Sequence, residues 1–510
     1  MSDLFARKSI AEARDEALPG DTGLQRVLGP WQLTALGIGA IIGAGIFSTT
    51  GTAIAGGAGH VGAGPALMLS LLLVAVTCGF AALCYAEFAS MIPQAGSAYT
   101  YAYATMGEFI AWIIGWDLII EYAVGNVAVA VSWSGYFQEL LRGFGLAFPE
   151  WLATDYRTAF QGAAQVRDAI ASGVDPNTLG AHVLQGAGAV ETAPTLFGLP
   201  IILNLPAVLV VALITWVLVV GVRESAWFNT AMVVVKVAML IAFLAIGAMY
   251  VRPENWSPFA PNGLRGVWTG ASLVFFAYIG FDAVSTAAEE SRDPKRDMPF
   301  AIIVSLLVTT LLYVAVAAVL TGMLPWNRLG TAEPLATAFG ERGLNVAAGL
   351  ISFGAVIATT SVLLVFQMGQ PRIFYAMARD GLLPQWAASI HPKYRTPHVT
   401  TIITGVFVAV FAAFANINEV VELTNIGTLF AFVLVAAGII VMRRTDPDRP
   451  RPFRTPFVPA VPLLAIGFCI FLMLGLPAIT WVRFGIWLAI GVVFYFVYGR
   501  RHSRLRAENR

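Results

Sequence analysis

Apolar runs of about 20 residues, the length that crosses a bilayer core of about 30 Å, recur from one end of this chain to the other and leave few folds open. Twelve are read, near 32–50, 65–91, 107–138, 200–222, 227–250, 267–288, 299–323, 345–377, 398–415, 418–442, 457–477 and 481–499. In lipid each segment has to satisfy its own backbone N–H and C=O groups, so unbroken runs of this length predict helices. A β-barrel is excluded, because its strands are alternating segments of about ten residues. Hydrophobic residues make up 58% of the 510 and charged residues 12%, about half the charged share of a water-soluble domain. The expectation is an all-α polytopic membrane protein with 12 transmembrane helices.

The first thirty residues carry Arg7, Lys8, Asp15 and Glu16 and lack the apolar core and small-residue cleavage site of a signal peptide, so the first run is expected to insert uncleaved. With both termini cytoplasmic, outside segments hold only eight of the 31 Lys and Arg residues, Lys236 lies within a run, and the rest fall inside. That asymmetry favours an even number of crossings in the inner (plasma) membrane with both ends cytoplasmic. The net charge of +1 is spread over loops, which excludes nucleic acid as a partner. Cys78, Cys84 and Cys469 all sit in apolar runs and indicate no disulfide framework. The long outward loop from Arg142 to Pro200 is read as irregular with one surface helix, and Met323 to Asn345, with Pro325 and Pro334, as a helical cap.

Two runs are interrupted. Leu36-Gly-Ile-Gly-Ala-Ile-Ile-Gly-Ala-Gly-Ile-Phe47 carries four glycines, and the stretch from Ser272 to Ala287 has Gly280 and Asp282 in its middle. Glycine lets the chain leave the helix, and open backbone at membrane depth persists only where it lines a cavity. Freed N–H groups of Gly43, Ala44 and Gly45, at the positive end of a half-helix, would hold a carboxylate. The alternative is that Gly39 and Gly43 only let two helices pack closely. Runs one to five and six to ten each open with an interrupted run, and five is odd, so the second set would be inverted, with the site between the two first helices. The expected division is a cytoplasmic tail 1–30, a first repeat 31–250, an inverted second repeat 251–442, two further helices in 443–500 and a cytoplasmic tail 501–510.

The stretches Gly37 to Phe47, Phe275 to Pro299 and Arg372 to Pro384 resemble the amino acid-polyamine-organocation superfamily, and within it the bacterial branch of the cationic amino acid transporter family. The resemblance covers roughly 30–500. It implies a leucine-transporter-type 5+5 inverted repeat plus two extra helices, where animal members carry fourteen spans. It implies that the substrate α-carboxylate sits at the first break (Ile41, Gly43, Ala44, Gly45). The substrate ammonium would face carbonyls of Phe276, Ala277 and Ile279 at the second. It also implies that the eighth run, with Thr359 and the bulky Phe366, builds part of the side-chain pocket.

Lys236 starts about 13 Å inside an otherwise apolar run, too deep for easy snorkelling. Its charge costs around 3 kcal/mol there on insertion scales, which asks for a reason. In proton-coupled relatives a lysine at this position takes the place of sodium, so Lys236 is expected to carry the coupling proton; the alternative is a structural lysine bonded to carbonyls of a broken helix. Asp117 and Glu121 share one face of the third run. Glu121 would serve a proton relay or shape the pocket, or else pair inside the bundle. Asp282 would touch substrate or satisfy backbone donors freed by the break.

An enzyme would need a reactive constellation, and the sequence has no His-Glu-x-x-His, no Gly-x-Ser-x-Gly and five histidines, none deep in a run. No Gly-Lys-Ser/Thr loop supports ATP-driven pumping. No catalytic residue, cofactor or metal is expected. The expected partners are an L-amino acid, H+ and the bilayer, and the expected function is proton-coupled import of L-amino acids by alternating access. Small neutral substrates are favoured over arginine. An exchanger or a sensor without net flux are the alternatives.

Overall fold

The computed structural model describes residues 28–57, 60–92, 97–176, 181–221 and 226–508, together with Ala6 and Leu179. Most of the tail expected over 1–30, and the inside charge at Arg223, lie outside these residues. The described chain is predominantly helical. Among the described residues, nine helices are long and apolar enough to cross a membrane: Pro30–Ala55, Gly64–Met91, Glu108–Gly143, Thr230–Tyr250, Gly263–Ser285, Pro294–Met323, Asn345–Arg379, Ile417–Thr445 and Ala478–His502. Three shorter apolar helices, Leu205–Val220, His398–Phe414 and Ala460–Met473, stand where the fourth, ninth and eleventh runs were read. Ordinals below follow those twelve runs.

Helix ends follow local chemistry. Pro30 opens the first helix, where a missing N–H is harmless, and Gln32 Oε1 accepts from Gly29 N at 2.7 Å. The fourth begins at Leu205 because Asn204 accepts from Ala207 N. Residues before it are extended, so the helix is shorter than the apolar run. Among the described residues, strands are confined to two antiparallel hairpins, Gly56–Gly57 with His60–Val61 and Thr195–Leu196 with Leu199–Pro200. The outer loop corrects the expectation of one surface helix: it holds two, Tyr156–Ala171 and Ala181–Thr192. They pack through glycine, since a Cβ on Gly162 would meet Val183 O at 2.6 Å. The connection after Met323 does carry a short helix, Pro334–Gly340.

Two tertiary ties orient the bundle. Leu28, before the first segment, bridges to Ser291, after the sixth, and Arg292 N donates to Leu28 O at 2.9 Å. The first and sixth segments therefore run in opposite directions. Glu108, at the start of the third segment, receives Arg506 Nε at 2.9 Å, while its own N–H donates to Ala6 O at 3.0 Å. Both chain ends thus lie at one end of the molecule. At the same end of the molecule, buried Glu87 accepts two bonds from Arg443, at 3.0 and 2.9 Å, and one from Thr455 N at 2.7 Å. The last segment packs on the third through an indole ladder: Trp112 donates to Gly491 O and Trp116 to Trp487 O, each at 2.9 Å.

Candidate functional site: two facing helix breaks

The first segment is helical over Pro30–Ile41, leaves the helix at Ile42 (φ −74°, ψ 98°), and resumes through a wide turn over Gly45–Thr49 into Thr50–Ala55. Gly43, Ala44 and Gly45 stand where the second half begins, the place at which a helix leaves N–H groups without intrahelical acceptors. The sixth segment is helical over Gly263–Val274, tightens at Phe275–Tyr278 and breaks at Ile279 and Gly280. Gly280 has φ +119°, a conformation closed to side-chain-bearing residues.

The two breaks touch. A Cβ on Gly45 would lie 2.1 Å from Ala277 Cα, and one on Gly280 would lie 2.8 Å from the Ala40 carbonyl. Backbone meets backbone in both places, and only glycine permits it. Ile41, Gly43, Ala44, Gly45, Phe276, Ala277 and Ile279 are all buried at this junction. Ile41 O accepts from Tyr313 OH at 2.9 Å, and Phe276 O receives a long bond of 3.4 Å from Ile279 N.

Lys236 is fully buried and its Nζ donates to Gly39 O at 2.7 Å. The structural alternative for this lysine, a bond to a carbonyl of the broken helix, is therefore present. Asp282 likewise satisfies the break, with Oδ1 accepting from Gly280 N at 3.2 Å. Its carboxyl also lies within hydrogen-bonding reach of that of Glu121. Glu121 sits in a π-turn, Ile120–Val124, inserted into the third segment, which rotates it relative to Asp117 on Glu108–Ile119. Around this pair the hydroxyls of Tyr85 and Tyr122 are buried without hydrogen-bond partners among the described residues.

Phe366 packs on Tyr122 with ring centroids 5.5 Å apart and lies 3.4 Å from a Cβ placed on Gly125. Val362, one turn earlier, closes on Gly43, where a Cβ would come within 2.7 Å of it. Thr359 is buried, and its hydroxyl donates to Ala355 O at 2.7 Å on its own helix. Sequence reasoning missed Val362, Tyr313 and Tyr136, whose hydroxyl donates to Phe47 O. Tyrosines inside apolar runs carry the only signal, since a buried hydroxyl needs a partner. On the outer side the cap seats on the first segment, where a Cβ on Gly51 would meet Leu329 O and Thr331 O at 2.6 Å. There burial, and then Glu139, push the Glu333 carboxyl up to about 7, against the pull of Arg142.

Two oppositely directed, interrupted membrane helices whose breaks meet, with ionisable groups gathered beside them, define a polytopic transporter of the broken-helix kind. The family model described as "Amino acid permease" matches residues 28–498, and the chain belongs to that family. It is 46% identical to the branched-chain amino acid permease BcaP of Bacillus subtilis (strain 168), over 98% of this chain and 99% of that one. It is 43% identical to the methylthioribose transporter of the same organism, over 99% and 100%. Cationic amino acid transporter 4 of Homo sapiens is 29% identical, over 95% and 88%. Membership makes the chain a multi-pass membrane protein and a transporter rather than an enzyme.

Proposed function

We propose that this chain is a secondary active transporter that imports L-amino acids across the plasma membrane by proton symport, with alternating access to the site between the breaks. The substrate carboxylate is assigned to the amides of Gly43, Ala44 and Gly45 beside Ile41, and its ammonium to the carbonyls of Phe276, Ala277 and Ile279. Val362, Phe366 and Tyr122 offer apolar walls, which suit an apolar side chain and agree with the name of the branched-chain permease relative. Asp282 supports the second break and Phe366 bounds the pocket, while Thr359 supports its own helix. The assigned architecture is twelve helices, with repeats 31–250 and 251–442, a pair in 443–500, and both tails, 1–30 and 501–510, cytoplasmic. Support comes from the opposed first and sixth segments and from chain ends that meet at Glu108, as an even number of crossings requires.

The observation that carries proton coupling is the bond from Lys236 Nζ to Gly39 O, three residues before the chain leaves the helix at Ile42. A charge-assisted bond of this kind contributes about 1.5–3 kcal/mol. Loss of the proton weakens it and frees the inner half of the first segment to move, and Glu121 takes part in passing the proton on. Uptake of labelled leucine, alanine and arginine into proteoliposomes under an inward proton gradient without sodium tests this. Wild type should accumulate substrate and Lys236→Ala should not; equal accumulation by the variant sinks the assignment, and exchange or binding without net flux points to an exchanger or a sensor.

A second substrate class has two observations behind it. One relative is named a methylthioribose transporter, and the unpartnered hydroxyls beside the breaks suit a hydroxylated thioether. Methylthioribose therefore belongs in the same uptake panel.

A further inference from the structure

Asp117 is 1% exposed, and neither of its carboxyl oxygens has a hydrogen-bond partner among the described residues. Room for the carboxyl is kept by Gly427 on the tenth segment, since a Cβ there would lie 2.9 Å from Asp117 Oδ1. The next residue, Thr428, is buried beside Glu121. The titratable neighbours of Asp117 are Glu121, on its own segment, and through Glu121 the Asp282 carboxyl; the tenth segment presents Gly427 and Thr428 and no charge. No ion pair is recorded for Asp117 among the described residues. An isolated carboxylate at such depth costs several kcal/mol, so the side chain fits this conformation only as the neutral acid.

Position along the helix gives this group a direction. The third segment starts at Glu108, at the end of the molecule where both chain ends lie, so Asp117 stands between the Glu121–Asp282 pair and that end. Tyr99 continues the line: its ring edge lies 3.0 Å from a Cβ on Gly115, and its hydroxyl donates to Asp380 at 2.7 Å near the inner end of the eighth segment.

We propose that Asp117 is a proton-relay residue on the inner exit route, holding the coupling proton after the Glu121–Asp282 pair and releasing it to water entering from the end that bears both termini. In the first step the O–H bond on Asp117 breaks and water takes the proton. In the second, a water that has entered between the two carboxyls gives a proton to Asp117 as it takes the one leaving Glu121, so one proton moves inward and no electrons are exchanged. The assignment rests on the proton-coupled reading above.

The test uses the full chain in proteoliposomes with labelled leucine and a pH-sensitive dye in the lumen, comparing wild type, Asp117→Asn and Asp117→Glu. The relay predicts that Asp117→Asn exchanges labelled for unlabelled leucine within about twofold of wild type. It predicts that this variant loses about tenfold or more of pH-driven accumulation, a loss worth ~1.4 kcal/mol, together with lumen acidification. Asp117→Glu should restore both. Accumulation by Asp117→Asn at the wild-type level overturns the relay. Loss of leucine binding in both variants also overturns it, because the role is then structural. Wild-type uptake with no acidification removes the proton-coupled reading itself, whatever the variants do.

Discussion

The two breaks solve the same backbone problem in opposite ways. The first carries no polar side chain of its own between Leu36 and Phe47, and its open carbonyls are met from elsewhere: Gly39 O by Lys236, Ile41 O by Tyr313, Phe47 O by Tyr136. The second is served mostly from within. Asp282 caps Gly280 N from two residues away, Ala283 N donates to Gly280 O at 3.1 Å and Ile279 N to Phe276 O at 3.4 Å, while the remote Asn425 holds only Ser272 O and Leu273 O, in the helix before the break, at 2.8 and 2.9 Å. An unsatisfied carbonyl in a dry interior costs about 1–3 kcal/mol, so each remote donor is a handle on the first break. The second break gives the first a fixed surface to move against.

The largest effect expected is at the contact itself. Gly45→Val forces atoms into Ala277, where even a Cβ stands 2.1 Å from Cα, and the overlap is with backbone that cannot turn away. Leucine binding and uptake should fall below detection while the protein still elutes as a monodisperse particle; retained binding would mean that the breaks need not meet.

Next is Tyr313→Phe, which leaves Ile41 O without its donor. Uptake should drop about fivefold to a hundredfold, the equivalent of ~1–3 kcal/mol, whereas removing Tyr278 OH, which serves Leu71 O at 3.1 Å away from either break's opening, should cost less. Equal losses would erase the distinction between a supported break and a self-supported one.

A smaller, pH-dependent effect belongs to the outer cap over the first break. With its carboxyl pushed up to about 7 when seated and near 4.5 when released, Glu333 favours the seated cap at low pH. Seating is then lost as pH rises from about 4.5 through about 7, because deprotonation is easier in the released state. Protection of the amides of residues 329–340, with the intrinsic pH dependence of exchange divided out, should be lower at pH 8 than at pH 5 in wild type and equal at both in Glu333→Gln; a pH response that survives the substitution assigns the effect to another group. Least affected should be Thr359→Ala, whose hydroxyl bonds only carbonyls of its own helix. Uptake within about twofold of wild type is expected, and a larger loss would place that hydroxyl on the substrate path.

Much of this arrangement was legible because lipid removes alternatives. Runs of apolar residues had to be helices, the four glycines of the first run and Gly280 with Asp282 in the sixth pointed to openings, and Lys236 in an apolar run had to have a reason. Contacts between segments were not legible. Nothing local joins Val362 to Gly43 or Tyr313 to Ile41, and the pairing of Glu87 with Arg443 crosses most of the chain. The π-turn at Glu121 was hidden because an inserted residue alters register without altering composition. The reading of one surface helix in the long loop gave it no position, and the second was missed because the Ala- and Gly-rich sequence there carries no strong period.

The most direct measurement is a cryo-EM structure of the protein with leucine bound. The proposed site requires the carboxylate within hydrogen-bond distance of the amides of Gly43, Ala44 and Gly45, and the ammonium against the carbonyls of Phe276, Ala277 and Ile279. Leucine density seated against Glu121 and the tyrosine hydroxyls, with both breaks untouched, would contradict it.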